Sequence, residues 1–281
     1  MTVDNELTIC VGTYRGPDHL TRALQSLRNG GWKGRVIVGD DGTNVRNREI
    51  NVGIVSEAVS IAAETGYHDA DLILSSKNTG WPANFNRMTS LVRTPYVLFL
   101  DNDAIYPKGL AELAVSLLKA LPHAGMLSWV SRNVTVEEAG KLCVGYEPDE
   151  EGRYQLPDHD TELAAFCSAY HVAALRRMDG FDEAFRYYFA DSDLAVRLAI
   201  DGKPSFRIQW PRIPHVEHST IHVFPELNGD VGREMDRMRF YKKWERTGPE
   251  IRDVVCQGLG RPVDEINRIA GIVAAHEVSN G

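Results

Sequence analysis

Cysteine is scarce in this 281-residue chain. Cys10, Cys143, Cys167 and Cys256 lie far apart with no CxxC pair, so the sequence offers neither a zinc knuckle nor a disulfide framework. Long apolar runs are missing too. The most apolar stretches, such as Tyr96–Leu100, fall far short of the roughly 20 residues that a bilayer-spanning helix needs. No GxGxxG follows the first apolar run, which argues against a dehydrogenase, and no HExxH is present for a zinc protease. Positive charge is in deficit: 31 Lys and Arg against 39 Asp and Glu give a net charge of −8, a mild argument against broad nucleic-acid binding. With 24 glycines and 13 prolines, collagen-like and low-complexity classes are excluded. The first ten residues are acidic and enter an apolar strand at once, unlike a secretory leader. Together with the cysteine usage this leads us to expect a cytoplasmic protein.

What is present is an alternation of strands and helices. Leu7–Val11 is a short apolar run, and Pro17 stands where the first turn of a helix tolerates proline. Leu20, Ala23, Leu24 and Leu27 then recur on one helical face until Gly30-Gly31. Arg35–Gly39 is a second strand, followed by a helix near 52–64, a strand at 72–74, a helix near 81–92 and a strand at 96–100. A helix over about 108–120 and a strand near 126–130 extend the pattern. Such alternation predicts βαβ units and a mostly parallel sheet whose strands are buried on both faces. Residues 146–161 are polar and acidic and read as a surface loop. Beyond them the spacing predicts a strand within 163–172, a helix over 191–201, a strand at 205–208 and helices near 230–246 and 262–275. We therefore expect residues 1–225 to form one α/β unit, with a nucleotide-binding half (1–130) and a substrate half (131–225), followed by a helical extension over 226–281.

The polar residues fall in a telling place. Thr13-Tyr14, Asp40-Asp41 and Asp101-Asn102-Asp103 all lie just past the carboxyl ends of predicted parallel strands, the rim at which open α/β sheets bind ligands. Asp101 and Asp103 at i and i+2 can approach one divalent cation, and Mg²⁺ or Mn²⁺ would take such oxygen ligands. Asp and Asn also favour turns, so this triplet alone describes a solvated turn equally well.

The combination of motifs is more specific. Asp40-Asp41-Gly42 after a strand, Asn78-x-Gly80 leading to Asn86, and Leu100-Asp101-Asn102-Asp103 follow one another in this order. Downstream stand Gly180-Phe181-Asp182-Glu183 and Asp191-x-Asp193-Leu194-x-x-Arg197 with Gly202. In this order, over roughly residues 6–222, the chain resembles the GT-A glycosyltransferases, notably glycosyltransferase family 2. The resemblance implies a GT-A-like α/β fold with a mostly parallel central sheet flanked by helices and ending in C-terminal helices. It implies a metal-dependent, inverting hexosyl- or pentosyltransferase that moves a sugar from a nucleoside diphosphate-sugar to a hydroxyl acceptor. A saccharide, a lipid-linked sugar, a protein or a modified nucleobase would each supply that hydroxyl.

The same resemblance implies the site residues. Thr13, Tyr14, Arg15, Asp40, Asp41, Asn78, Gly80, Asn86, Asp101, Gly180 and Asp182 would contact substrates. Asp103 and Asp101 would hold Mn²⁺ or Mg²⁺, completed by a histidine from the group His215, His218 and His222, with His218 preferred. Neutral imidazole favours Mn²⁺ over Mg²⁺. Asp191 matches the catalytic aspartate, with Asp193 in reserve. Two departures from the pattern are Ala190, where the family carries an acidic residue, and Asp179, where it carries a glycine. Asp193 and Arg197, four apart, share a helical face and read as an ion pair. The basic, aromatic stretch Arg239–Trp244 reads as an amphipathic helix with its charged side in solvent. The competing readings are a catalytically silent nucleotide-sugar-binding module and a nucleotidyltransferase. The latter would require Gly12-Thr13-Tyr14-Arg15-Gly16 to act as a phosphate loop, of which it is a poor version.

Overall fold

The computed structural model describes residues 2–42, 70–147, 163–216 and 229–244. The helix expected near 52–64, most of the 146–161 loop, His218, His222, Cys256 and the stretch 262–275 lie outside the described residues. In chain order the elements are β1 (Leu7–Thr13), α1 (Pro17–Asn29), β2 (Arg35–Asp40), β3 (Ala70–Leu74), α2 (Trp81–Leu91) and β4 (Tyr96–Asp101). Then come α3 (Leu110–Ala120), β5 (Met126–Asn133), α4 (Val136–Leu142), β6 (Cys167–His171), α5 (Val172–Arg177), α6 (Ala190–Ile200), β7 (Ser205–His215) and α7 (Gly229–Trp244).

The strands form one seven-stranded sheet in the order β3-β2-β1-β4-β6-β5-β7. β3, β2, β1 and β4 pair in parallel, β6 runs antiparallel between β4 and β5, and β5 pairs in parallel with β7. The expected mostly parallel sheet is therefore present, with one reversed strand inserted at its centre. That reversal matters for the site: the start of β6 reaches the same rim as the ends of β1, β2, β4 and β7.

Alternation along the central strands sorts side chains to two faces. Ile9, Val11, Leu98 and Leu100 join Leu20, Leu24, Leu27, Leu113 and Leu117 beneath α1 and α3. Cys10, Val97 and Phe99 face the other way, against Phe85 and Met88 of α2, Leu194 of α6 and Phe240 of α7. This three-layer arrangement buries both faces of the sheet, which is why its strands are apolar throughout. On the second face Phe85, Phe99, Tyr170 and Phe181 form an aromatic cluster, with Phe85 and Phe99 centroids 4.6 Å apart. Among the described residues no helix is long and apolar enough to cross a membrane.

Three local features differ from expectation. β7 runs on to His215 rather than ending near 208, and it absorbs Pro211, which has no N–H to donate, in a bulge. There the step from Trp129 to Ser131 on β5 spans Ile208 to Ile213 on β7. α4 opens with a reciprocal capping box between Thr135 and Glu138. α7 is docked on the second face with Asp236 and Phe240 buried and Lys243 reaching Asp182 and Asp193, while Arg233, Glu234, Arg237 and Lys242 remain exposed.

Candidate active site

The sheet register brings the polar strand ends together. Thr13 lies opposite Asp40 on β2, and Gly12 lies opposite Asp101 on β4. Asn102 donates from Nδ2 to Thr13 Oγ1 at 2.9 Å, so the middle residue of the acidic triplet ties the turn to β1. The flanking carboxylates of Asp101 and Asp103 are left facing His215, and ligand atoms of the three residues all lie within 4.8 Å of one another.

His215 is delivered by the long β7. Its backbone bridges Ala104, Val134 donates to its carbonyl at 3.1 Å, and Val216 donates to the Asp103 carbonyl at 3.0 Å. The His215 Nε2 lies 3.0 Å from Asp103 Oδ1, and the Phe166 ring stacks on the imidazole at 4.5 Å with an interplanar angle of 15°. Burial first, then the neighbouring Asp103 charge, push the Asp101 carboxyl up to about 7. Asp191 adds to the rise and His215 opposes it. Two carboxylates and an imidazole this close are a donor set that suits a divalent cation.

Asp191 stands in the first turn of α6 and reaches back over the start of β6. Its Oδ2 accepts from the Ala165 N–H at 3.2 Å and its Oδ1 from the Ser192 N–H at 2.9 Å. The next residue, Phe166, accepts from the Asp101 N–H at 2.7 Å. Two adjacent residues, Ala165 and Phe166, thus join Asp191 to the acidic triplet, and Phe166 also braces His215. Burial raises the Asp191 pKa above the ordinary carboxylate value, with the two N–H donors opposing the rise.

Asp193 has a different environment. It is fully buried; Oδ2 accepts from Arg197 Nε at 2.8 Å, and Oδ1 lies 2.7 Å from Lys243 Nζ and 3.1 Å from Trp244 Nε1. The expected pair with Arg197 is present, and both oxygens are occupied by α6 and α7.

Several of the other candidate residues turn their side chains to the protein itself. Asp41 is a knot between strand and loop: Oδ1 accepts from the Thr79 N–H, the Thr79 hydroxyl and Arg87, and Oδ2 accepts from the Gly80 N–H at 2.8 Å. Asn86 makes a two-way bond with the Phe181 backbone, donating to its carbonyl and accepting from its N–H, both at 2.8 Å. Gly180 is required beside it, since its φ is +71° and a Cβ there would lie 2.2 Å from the Asn86 side-chain oxygen. Asp179, at φ +57°, takes the left-handed conformation that Asp tolerates better than most residues. Asp182 pairs with Lys243 at 2.7 Å and accepts from the Ala184 N–H.

Asp40 is fully buried at the end of β2, and the Arg15 guanidinium lies over the Tyr14 ring at 5.2 Å. The side-chain oxygen of Asn78 is buried and finds no hydrogen-bond partner among the described residues. Asn78 does not cap α2, whose N-cap is Gly80. Ala190 is buried in the core of the second face. His218 lies outside the described residues. His215, ranked behind it from sequence, is the histidine that the structure places against Asp103. Its signal was positional: it ends a strand that pairs with β5, but Pro211 and Pro214 hid that strand's true length.

Comparison with known proteins follows from this geometry. The model of the family described as "Glycosyl transferase family 2" matches residues 8–179. Among solved structures, a mannosyltransferase from Pyrobaculum calidifontis in complex with GDP-Man and Mn²⁺ superposes with a TM-score of 0.63 at 19% identity, covering 98% of this chain and 76% of that one. S. aureus TarS residues 1–349 in complex with UDP gives 0.55 at 15% identity over 74% of this chain and 60% of that one. Longer TarS gives 0.54 at 15% identity over 75% of this chain and 36% of that one. No curated protein matches the sequence.

Proposed function

This chain belongs to glycosyl transferase family 2, and from that premise we propose that it is a metal-dependent, inverting transferase acting on a nucleoside diphosphate-sugar. The observation that carries this reading is the convergence of Asp101, Asp103 and His215 with Asp191 across Ala165-Phe166. GDP-Man with Mn²⁺ in one structural neighbour and UDP in another support a nucleotide-sugar donor.

Asp101, Asp103 and His215 would hold Mn²⁺ or Mg²⁺; when bound, the cation offsets negative charge on the donor's diphosphate and on the departing nucleoside diphosphate. Tyr14 and Arg15 would meet the nucleoside at the adjoining rim, with the buried Thr13 and Asp40 supporting it from beneath, and the unpartnered Asn78 oxygen is an acceptor for a donor N–H or O–H. Asp41, Asn86, Gly180 and Asp182 shape that pocket by holding its loops. Asp191, rather than Asp193, is the base. Its raised pKa moves it toward the range in which a carboxylate accepts a proton efficiently near neutrality. As Asp191 takes the acceptor's hydroxyl proton, the acceptor oxygen forms its bond to the anomeric carbon. The bond from that carbon to the phosphate oxygen breaks, and its electron pair leaves on the nucleoside diphosphate. Displacement from the opposite side inverts the anomeric centre. The acceptor is a hydroxyl of a saccharide, lipid-linked sugar, protein or modified nucleobase, and the sugar a hexose or pentose. Cysteine usage supports a cytoplasmic setting.

A donor panel with Mn²⁺, read by nucleoside diphosphate release, tests the reading on two variants. Asp103→Ala should abolish metal-dependent donor binding. Asp191→Asn should keep donor binding and lose turnover; unchanged turnover would remove Asp191 from the mechanism.

A further inference from the structure

The loop that launches Asp191 is held from outside the substrate half. Asp236 of α7 is almost completely buried, and its Oδ2 accepts three consecutive backbone N–H groups: Arg186 at 3.1 Å, Tyr187 at 2.9 Å and Tyr188 at 3.1 Å. Its other oxygen accepts from Arg239 at 2.7 Å. The next residue, Phe189, is the N-cap of α6 and sits at φ +65°, a conformation that a bulky side chain avoids and that persists only when its surroundings impose it. Two residues later comes Asp191.

The same loop is gripped on its other side. Trp81 Nε1 donates to the Tyr187 carbonyl at 2.8 Å, and Trp81 follows Gly80, whose N–H is bound by Asp41 at the donor rim. α7 comes so close that a Cβ on Gly232 would lie 2.8 Å from the Tyr187 ring. Farther along α7, Lys243 bridges Asp182 and Asp193, so the helix fastens the segments before and after the loop as well. Asp236 and Lys243 of α7 thus converge on the elements that carry the proposed base, while Arg233, Glu234, Arg237 and Lys242 face solvent.

We propose that Asp236 is a positioning residue for catalysis: by holding the amides of residues 186–188 it fixes the strained turn at Phe189 and thereby the direction in which Asp191 faces the acidic triplet. This rests on the assignment of Asp191 as the base. A loop released from three charge-assisted bonds leaves Asp101 and Asp103 at the end of β4 and His215 at the end of β7 in place, so the effect falls on turnover and not on cation or nucleotide binding.

The test compares wild type, Asp236→Ala and Asp236→Asn in the full chain. Asparagine keeps a carbonyl oxygen able to accept the three amides; alanine keeps none. Amide hydrogen exchange over residues 184–193 should show protected amides at 186–188 in wild type. Protection should fall at least about tenfold in Asp236→Ala and be largely restored in Asp236→Asn, as expected for losing bonds to a charged acceptor. In donor turnover with Mn²⁺, kcat should fall on the order of 10²-fold in Asp236→Ala with donor KM within about threefold, and recover at least tenfold in Asp236→Asn. Binding of Mn²⁺ with GDP or UDP by calorimetry should be unchanged in both. Should Asp236→Ala not fold, the wild-type exchange pattern and the Asp236→Asn turnover decide. Rapid exchange at 186–188 in wild type, full turnover in Asp236→Ala, or equal loss of turnover and Mn²⁺ binding would overturn the proposal. If the wild type turns over no nucleotide-sugar, the functional reading fails, while the exchange measurement still decides whether Asp236 holds the loop.

Discussion

Acidification provides a quantitative probe of the acidic triplet. Asp101 is pushed up to about 7 by its burial and by the Asp103 charge, against an ordinary value of 3.8. A cation is held by the ionised carboxylate, so binding must displace the proton wherever one is present. With a pKa of about 7, the ionised fraction is about 0.76 at pH 7.5 and about 0.03 at pH 5.5, so Mn²⁺ affinity should fall about 25-fold between them. That ratio corresponds to about 2 kcal/mol. An unperturbed aspartate would change by only a few per cent over this interval. Calorimetric titration of Mn²⁺ at half-unit steps from pH 5.5 to 7.5, with proton release read from buffers of different ionisation enthalpy, measures both quantities. Asp101→Asn should bind more weakly at pH 7.5 and show a shallower slope, the remainder coming from the proton that His215 must give up to act as a ligand. A wild-type affinity that moves less than about threefold over the range would refute the coupling of Asp101 to Asp103.

The same carboxyl predicts the stability of the metal-free protein. Between about pH 4 and 7 the folded state keeps the Asp101 proton while the unfolded chain has lost it, so stability in chelator should decrease as pH rises through that window and increase on acidification. Thermal unfolding at pH 5.5 and 7.5 checks the sign. Asp193→Ala should destabilise by about 2–3 kcal/mol in denaturant unfolding, because it removes the buried carboxylate that Arg197 and Lys243 share, leaving Lys243 with Asp182 and Arg197 with the Met178 and Gly180 carbonyls. Asp191→Asn should cost far less stability. Asn86→Ala, which deprives the Phe181 backbone of both partners, should cost about 2 kcal/mol by the same measurement.

Much of the fold was legible because burial on both faces leaves strands apolar and helices amphipathic, and these periods stand out along residues 7–130. The position of the acidic residues at strand ends was legible for the same reason. The reversal of β6 was not: a short apolar strand carries no mark of its direction, and it was this reversal that placed Ala165-Phe166 between Asp101 and Asp191. Prolines concealed the length of β7 and so the placement of His215. Thr135-x-x-Glu138 is a helix start that its capping pattern makes readable within a polar stretch.

Site residues divided along a similar line. The spacing of Asp193 and Arg197 foretold their ion pair, since residues four apart share a helical face. Asp41 and Asn86 bear side chains that recognise ligands and backbone amides equally well, and only the fold shows that theirs are engaged by Thr79, Gly80 and Phe181. The charged side of α7 is solvated at Arg233, Glu234, Arg237 and Lys242, but the inward contacts of Asp236 and Lys243 carry no local mark, because their partners Asp182, Asp193 and the 186–188 amides lie about 50 residues away in sequence.

The most direct measurement is the anomalous scattering of Mn²⁺ in crystals of the protein grown with GDP or UDP. A single strong peak is expected, bounded by Asp101, Asp103 and His215, on the side of the rim that Asp191 faces. A peak elsewhere, or a nucleotide bound with those three side chains left unengaged, would contradict this placement.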